Sequence, residues 1–291
     1  MAKILITGAH GRTGRSVVSA IAQRGGSVRA FLRSEVQWPV LKDLGASDYA
    51  IGDLEDSLAL QAAVKGCEAV VHIGPPMHPR EVEITKSLVK SSLDQGVGHL
   101  VYYSVMHTLR REVRHHRLKL DAEEAIVESG MPYTILQPIR YMQHLEPIWA
   151  KLLDTGVHAM PFNTKVKFNV VDLKDLAEVT AIVATNPALH TYAIYELAGP
   201  EALSQSDMAG IISRILGRPI TAMQVSLEDL EAKARKNGAD DDRVEQMKVM
   251  NQHYDRYGFL GNSNILRWIL GREPSGYEDY VRRIAKHGNR A

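Results

Sequence analysis

Three glycines near the start of the chain have a spacing that can do chemistry. Gly8, Gly11 and Gly14 lie in Gly8-Ala9-His10-Gly11-Arg12-Thr13-Gly14, after the apolar run Lys3-Ile4-Leu5-Ile6-Thr7. Val17, Val18, Ile21 and Ala22 follow at helical spacing. Strand, glycine turn and helix in that order present backbone N–H groups and the positive end of a helix, which suits a phosphate. Gly8 permits the tight turn, Gly11 lets a ligand approach the backbone, and Gly14 lets the helix sit close to the strand. The context predicts a dinucleotide site, with His10, Arg12 and Thr13 completing the turn; a plain strand–helix turn is the alternative.

The next strand, Ser27 to Leu32, ends in Arg33-Ser34. In a doubly wound sheet, ligands sit at the carboxyl ends of the strands. An acidic side chain here would bind the adenosine ribose 2′-hydroxyl, whereas a guanidinium suits a 2′-phosphate. Arg33, with Arg12 in support, therefore favours NADP(H) over NAD(H), the alternative being a solvated loop arginine. In Gly52-Asp53-Leu54, Asp53 closes a third strand. It could accept a hydrogen bond from the adenine amino group or cap the helix containing Leu58 and Ala62. Gly74-Pro75-Pro76, after a fourth strand, would let ribose and pyrophosphate lie against the strand edge, or would be a stiff turn.

The elements that must position these residues are legible as apolar runs. Strands are expected at Tyr49 to Ile51, Ala69 to Ile73, His99 to Tyr103 and Tyr133 to Leu136, with helices between them, including Glu81 to Leu93. Such alternation from the first residue predicts the α/β class, with a Rossmann-like doubly wound parallel sheet and right-handed crossovers. After Pro138 the alternation fades. Residues 1–150 are expected to form the nucleotide-binding domain. Residues 151–291 are expected to form a smaller mixed α/β substrate lobe, interleaved with the sheet.

Composition narrows the function. The chain has 291 residues, 45% hydrophobic and 24% charged, with a net charge of +1. That describes a globular chain with no general pull toward nucleic acid or an anionic membrane. The single cysteine, Cys67, excludes an internal disulfide framework. No apolar run approaches the roughly 20 residues needed to span a bilayer, and the short glycine-rich start is no signal peptide, so a cytoplasmic location is expected. No metal site is expected: His115-His116 cannot bind one ion from one helix face, and no His-Glu-x-x-His or Cys-x-x-Cys pattern exists.

Several stretches together resemble the NmrA-like branch of the atypical short-chain dehydrogenases. They are Gly8 to Gly14 after a strand, Arg33, Gly52-Asp53-Leu54 and Tyr102-Tyr103-Ser104. Met131-Pro132-Tyr133-Thr134-Ile135-Leu136-Gln137-Pro138, Tyr195-Glu196-Leu197-Ala198-Gly199-Pro200-Glu201 and Leu270-Gly271-Arg272-Glu273-Pro274 extend the likeness over nearly the whole chain. The resemblance implies either an NAD(P)H-dependent reductase of quinones and other small molecules, or a nucleotide-binding redox sensor acting through a protein partner.

One departure bears on that choice. Short-chain dehydrogenases usually carry Tyr-x-x-x-Lys on the helix after the fifth strand, the tyrosine passing a proton and the lysine holding the nicotinamide ribose. If Lys119 is that lysine, His115 holds the tyrosine position, one helical turn away and facing the same way. A histidine can relay protons near neutral pH, yet Arg111, Arg114, Arg117 and Lys119 oppose its protonation. The alternative for Lys119 is an ion pair with Glu123 at i+4 on a solvated face. Ser104 stands where the family's substrate-orienting serine would be, or it caps a turn. His107 joins the expected substrate pocket with Tyr141 and Met142, beside His144; a Tyr or Met there could equally be core.

The run Arg110-Arg111-Glu112-Val113-Arg114-His115-His116-Arg117-Leu118-Lys119 adds a clue. Cations at a helix start oppose the macrodipole, so something anionic is expected to compensate, unless the end is simply exposed and screened. The expectation is an NADPH-dependent reductase of a carbonyl, enone or quinone-like molecule, carboxylated or phenolate-like in preference, in a monomer or homodimer.

Overall fold

The structure is a computed structural model and describes residues 2–288. In chain order the strands and helices are β1 (Lys3–Ile6), α1 (Arg12–Gln23), β2 (Ser27–Leu32), α2 (Trp38–Asp43), β3 (Asp48–Ile51) and α3 (Ser57–Val64). Then come β4 (Ala69–His72), α4 (Glu81–Asp94), β5 (His99–Tyr103), α5 (Arg114–Glu128), β6 (Tyr133–Pro138), α6 (Glu146–Thr155) and β7 (Val157–Met160). The rest are β8 (Lys167–Asn169), α7 (Leu173–Thr185), β9 (Ala193–Leu197), β10 (Ala202–Ser204), α8 (Gln205–Leu216), β11 (Thr221–Gln224), α9 (Leu227–Lys236), α10 (Asp241–Tyr257), α11 (Asn264–Leu270) and α12 (Tyr277–Gly288).

The chain forms two interleaved compact units. Among the described residues the first comprises 2–109, 116–138 and 173–196, and the second 110–115, 139–172 and 197–288. The boundary expected at residue 150 thus falls inside the second unit, and 173–196 returns to the first.

The first unit is built on a seven-stranded sheet ordered β3-β2-β1-β4-β5-β6-β9. Pairing is parallel from β3 through to β6. Strand order reverses between β1 and β4, and such a switch point opens a crevice at the carboxyl ends of the strands. The strands read as near-continuous apolar runs because helices cover both faces. Leu5, Val70, Leu100 and Ile135 are buried with Leu60 and Val64 of α3, Leu88 of α4 and Ala122 and Ile126 of α5. On α7, Leu176, Val179 and Val183 are buried, and this helix packs on α1.

The second unit has its own core, in which Met142, Leu145, Trp149, Met208, Ile212, Tyr277 and Val281 cluster. Two short sheets flank it: β10 antiparallel to β8, and β11 parallel to β7. A capping box starts α8, Ser204 Oγ accepting from Asp207 N–H while the Asp207 carboxylate accepts from Ser204 N–H. No helix among the described residues is long and apolar enough to cross a membrane.

Candidate functional site

The glycine turn is built backbone against backbone. Gly8 has φ of 62°, and a Cβ there would stand 2.5 Å from the Ile73 carbonyl oxygen. A Cβ on Gly14 would stand 2.2 Å from the Gly8 oxygen and 2.6 Å from Ala9 Cα. Neither position admits a side chain. Gly11 is the N-cap of α1, without a side chain to accept from the first-turn N–H groups, and no acid stands in that turn. No acid of that turn therefore offsets the positive end of α1.

Around the turn, His10 is held by Arg15, whose Nε donates to the His10 carbonyl (2.8 Å) and whose amino group reaches Nε2 (2.6 Å). Burial and then the Arg15 charge lower the imidazole pKa, so the ring accepts from Arg15 in its neutral form. Gln37 lies 3.4 Å from Nδ1 of the same ring and accepts from Arg33 N–H (3.1 Å). Arg12 and Arg33 are exposed, as is Asp53, while Thr13 is half-buried. Asp53 does not cap α3: its Oδ1 accepts from Glu55 N–H, and Asp56 caps the helix through Leu58 and Ala59 N–H. Leu54 packs against the core.

Beneath the fourth strand end lies a buried polar network. His72 Nδ1 pairs with Thr7 Oγ1 (2.8 Å), which also accepts from Ile73 N–H (3.0 Å). A Cβ on Gly74 would stand 2.9 Å from Glu81 Oε1, so the turn carrying Gly74 and Pro75 rests on that carboxylate. Glu81 Oε1 accepts from Lys119 Nζ (2.7 Å) and from the Tyr102 hydroxyl (2.7 Å). Lys119 also donates to the Tyr103 carbonyl (2.8 Å) and lies over the Tyr102 ring at 4.8 Å. The pair is buried, with side-chain exposures of 7% and 3%. Burial alone would raise the Glu81 pKa, but the charges of Lys119 and His72 and the hydrogen bonds from Lys119 and Tyr102 leave it below the usual value. The same lysine raised by i+4 spacing as a partner of Glu123 on a solvated face is therefore a buried partner of Glu81.

Glu123 is occupied elsewhere. The Ser104 hydroxyl donates to its Oε1, and Gln137 Nε2 donates to both oxygens (2.8 and 3.0 Å). Burial raises its pKa against those hydrogen bonds. Ser104 is thus neither a turn cap nor an unengaged hydroxyl. His107 has φ of 60°, a left-handed conformation uncommon for a residue with a side chain, and its carbonyl pairs with His116 Nδ1 (2.9 Å). On α5, His115 stands one turn ahead of Lys119 and is half-buried.

In the second unit, Met142 is a core residue, 2% exposed. Its N–H donates to the Val171 carbonyl (2.9 Å). Tyr141 is half-buried and stacks on His144, with ring centres 5.8 Å apart. Two cations of the basic run, Arg110 and Arg114, have partners within the same unit. Arg114 pairs with Asp242, and Arg110 donates to the Gly258 carbonyl (3.0 Å) and lies over the Phe259 ring at 5.1 Å. Arg111 is exposed.

The family's sequence profile matches residues 1–278. The chain belongs to the NmrA-like family. The NAD(P)H azoreductase of Xenophilus azovorans is 28% identical over 226 residues, covering 77% of this chain and 78% of its own. The structure is similar to that of an NADPH-dependent quinone oxidoreductase from Escherichia coli complexed with NADPH. Its TM-score is 0.83 at 22% identity, with 97% of this chain and 99% of that chain covered. It is also similar to NmrA, a negative transcriptional regulator in complex with NAD, with a TM-score of 0.79 at 18% identity, covering 100% and 98%. At these identities the structural likenesses establish the Rossmann-like fold. The curated relatives include NAD(P)H-dependent reductases.

Polar residues of the first unit that escaped the sequence reading include Arg15, Gln37, His72, Glu81 and Gln137. A signal existed for Glu81, which shares the apolar face of α4 with Ile84, Thr85 and Leu88 at helical spacing.

Proposed function

We propose that this chain is an NADPH-dependent reductase of a small quinone-like, enone or carbonyl substrate. The observation that carries the reading is the side-chain-free turn at an acid-free helix start, flanked by the exposed guanidinium groups of Arg12 and Arg33. In this reading Gly8 to Gly14, with His10 and Thr13, hold the pyrophosphate, and Arg33 with Arg12 meets the 2′-phosphate. Asp53 and Leu54 border the adenine, and Gly74 and Pro75 border the ribose. The cofactor, when bound, supplies the hydride. Lys119, held by Glu81 and Tyr103, would direct its remaining N–H to the nicotinamide ribose. His107, Tyr141 and Met142 remain the proposed substrate-contacting side chains, each within its own unit.

The proton ranks the acceptors. Ser104 already donates to Glu123, and His115 stands where the tyrosine of other short-chain dehydrogenases would be. A quinone that takes hydride leaves a phenolate-type anion with a pKa of about 10, as for tyrosine. It can leave before it is protonated. A ketone leaves an alkoxide almost as basic as hydroxide, which needs an acid in place. A chain without the tyrosine therefore suits quinone-like acceptors first, with His115 or water supplying the proton afterwards.

The test is loss of nicotinamide absorbance when NADPH is mixed with the chain and a panel of quinones, enones and aryl ketones. Oxidation by quinones ahead of ketones is expected. Tight NADPH binding without oxidation across the panel would point to the second reading, a nucleotide sensor acting through a protein partner. That reading is favoured by the absent tyrosine and by the ion pair that occupies Lys119.

A further inference from the structure

The second unit carries a cavity of about 340 Å³, built from its own elements. Small-molecule pockets span about 300–1,000 Å³, so the space can take a compact ligand. Pro161 follows β7, and Val225 follows β11, where its N–H donates to the Met160 carbonyl (2.9 Å). Leu227 opens α9. These three half-buried residues give the cavity its apolar part. Helix α10 supplies polar side chains. Asp255 stands four residues after Asn251 and three after Gln252, so the three share one face of that helix.

Two acceptors on this face lack donors. Asp255 is half-buried and its Oδ1 accepts from Asn163 N–H, but no cation among the described residues pairs with the carboxylate. Asn251 is 6% exposed, and its Nδ2 donates to the Met247 carbonyl (2.6 Å). That bond fixes which end of the amide is the oxygen, and Oδ1 accepts nothing among the described residues. The Ser226 hydroxyl offers no help, because it donates to Asp229 Oδ2 (2.9 Å). No Lys, Arg or His among the described residues lines the cavity. A carboxylate without a counter-charge and a buried amide oxygen without a donor thus line one space, and leaving such groups unmatched is costly.

We propose that this cavity binds a small primary amine in its ammonium form, carrying a compact apolar body. An ammonium group has only donors and a positive charge, which is what Asp255 Oδ2 and Asn251 Oδ1 call for. The carbon body would lie on Pro161, Val225 and Leu227. A divalent cation fits worse, since calcium gathers about six to eight oxygens, carboxylates prominent among them, and Asp255 is the one carboxylate that lines the cavity among the described residues. An organic acid would meet Asp255 as a like charge. The site stands independently of the reductase reading, since the second unit alone supplies it.

The experiment is titration calorimetry on the full chain at pH 7 and matched ionic strength, with benzylammonium, its neutral counterpart benzyl alcohol, benzoate and methylammonium. Benzylammonium should bind at least about tenfold more tightly than any of the other three. Asp255→Asn keeps an oxygen for Asn163 N–H and removes the charge. It should weaken benzylammonium by about tenfold to a hundredfold, with a urea midpoint near that of the parent showing that it is folded. Should Asp255→Asn fail to fold, Leu227→Lys, which brings a tethered ammonium to the half-buried edge of the cavity, should weaken benzylammonium by a similar factor. Benzylammonium binding no tighter than benzyl alcohol or methylammonium, tighter binding of benzoate, or undiminished benzylammonium affinity in a folded variant would overturn the proposal.

Discussion

Replacing Lys119 by methionine tests the buried network directly. The substitution keeps the length of the stem and removes the charge, leaving the Glu81 carboxylate with the Tyr102 hydroxyl alone at Oε1. Breaking a buried ion pair from one side costs about 3–5 kcal/mol. The carboxyl has a way to limit that loss, by taking a proton. From an ordinary value of 4.5, protonation at pH 7 costs about 3 kcal/mol, at about 1.4 kcal/mol per pH unit. The loss should therefore be about 3 kcal/mol at pH 7 and about 1 kcal/mol at pH 5.

The sign follows from linkage. In the parent the Glu81 pKa lies below its ordinary value, so the pair's stabilisation is present above pH 4.5 and is lost as pH falls through the folded value. In the variant the stranded carboxyl is raised, so folding takes up a proton and the deficit shrinks as pH falls. Urea unfolding of the parent, Lys119→Met, Glu81→Gln and the double variant at both pH values measures this. The double variant should lose about 1–3 kcal/mol less than the two single losses together. A Lys119→Met loss below about 0.5 kcal/mol, a loss independent of pH, or strict additivity would refute the pairing. The same set guards the functional reading, because turnover lost in Lys119→Met and restored in the double variant would reflect folding rather than ribose binding.

Three further outcomes are expected. His72, His99 and His158 are buried, and burial first of all drives each imidazole down to about 4. Their stabilisation is complete above about pH 6.5 and is lost progressively toward pH 4, by up to about 3 kcal/mol each, so urea midpoints should fall steeply over that window; midpoints flat from pH 6.5 to 4.5 would contradict it. Gly14→Ala forces a Cβ to within 2.2 Å of the Gly8 oxygen, and should cost about 1–3 kcal/mol of stability together with most NADPH affinity; calorimetry showing parental affinity would remove the turn from the cofactor site. Arg33→Ala should weaken NADPH by about tenfold or more and leave NADH nearly unchanged, and equal losses for the two nucleotides would remove the basis for the 2′-phosphate assignment.

Periodicity made most of the first unit legible because its central strands bury continuous apolar surfaces. The bounds of β2 and β5 follow directly from Ser27 to Leu32 and His99 to Tyr103. The second unit was less legible. β7 is four residues, Val-His-Ala-Met, and is completed by pairing with β11 more than 60 residues on, information no local pattern holds. Helix α7 reads as part of a C-terminal lobe by position, yet it returns to the first unit because its apolar side chains pack on α1. Spacing also misdirected the partner of Lys119. Glu123 stands at i+4, the natural surface partner on an isolated helix, but the lysine is buried and takes the carboxylate that α4 delivers 38 residues away.

The polar residues at the strand ends of the first unit follow one logic. A parallel sheet covered on both faces reads as apolar, so a polar side chain near its carboxyl edge has to be matched inside the protein. Thr7 after β1 takes His72 of β4; Tyr102 of β5 takes Glu81 and through it Lys119; Gln137 of β6 takes Glu123, which takes Ser104. Helices α4 and α5 thus supply the carboxylates that tie neighbouring strand ends together, and the backbone edge a dinucleotide would lie along is fixed before any ligand arrives. Such preorganisation favours binding and placement. It also commits Ser104 and Lys119 to partners, which leaves little titratable chemistry at that edge. If the chain is the proposed reductase, its rate should respond more to how stable the reduced acceptor is as an anion than to replacement of any single acid in the first unit.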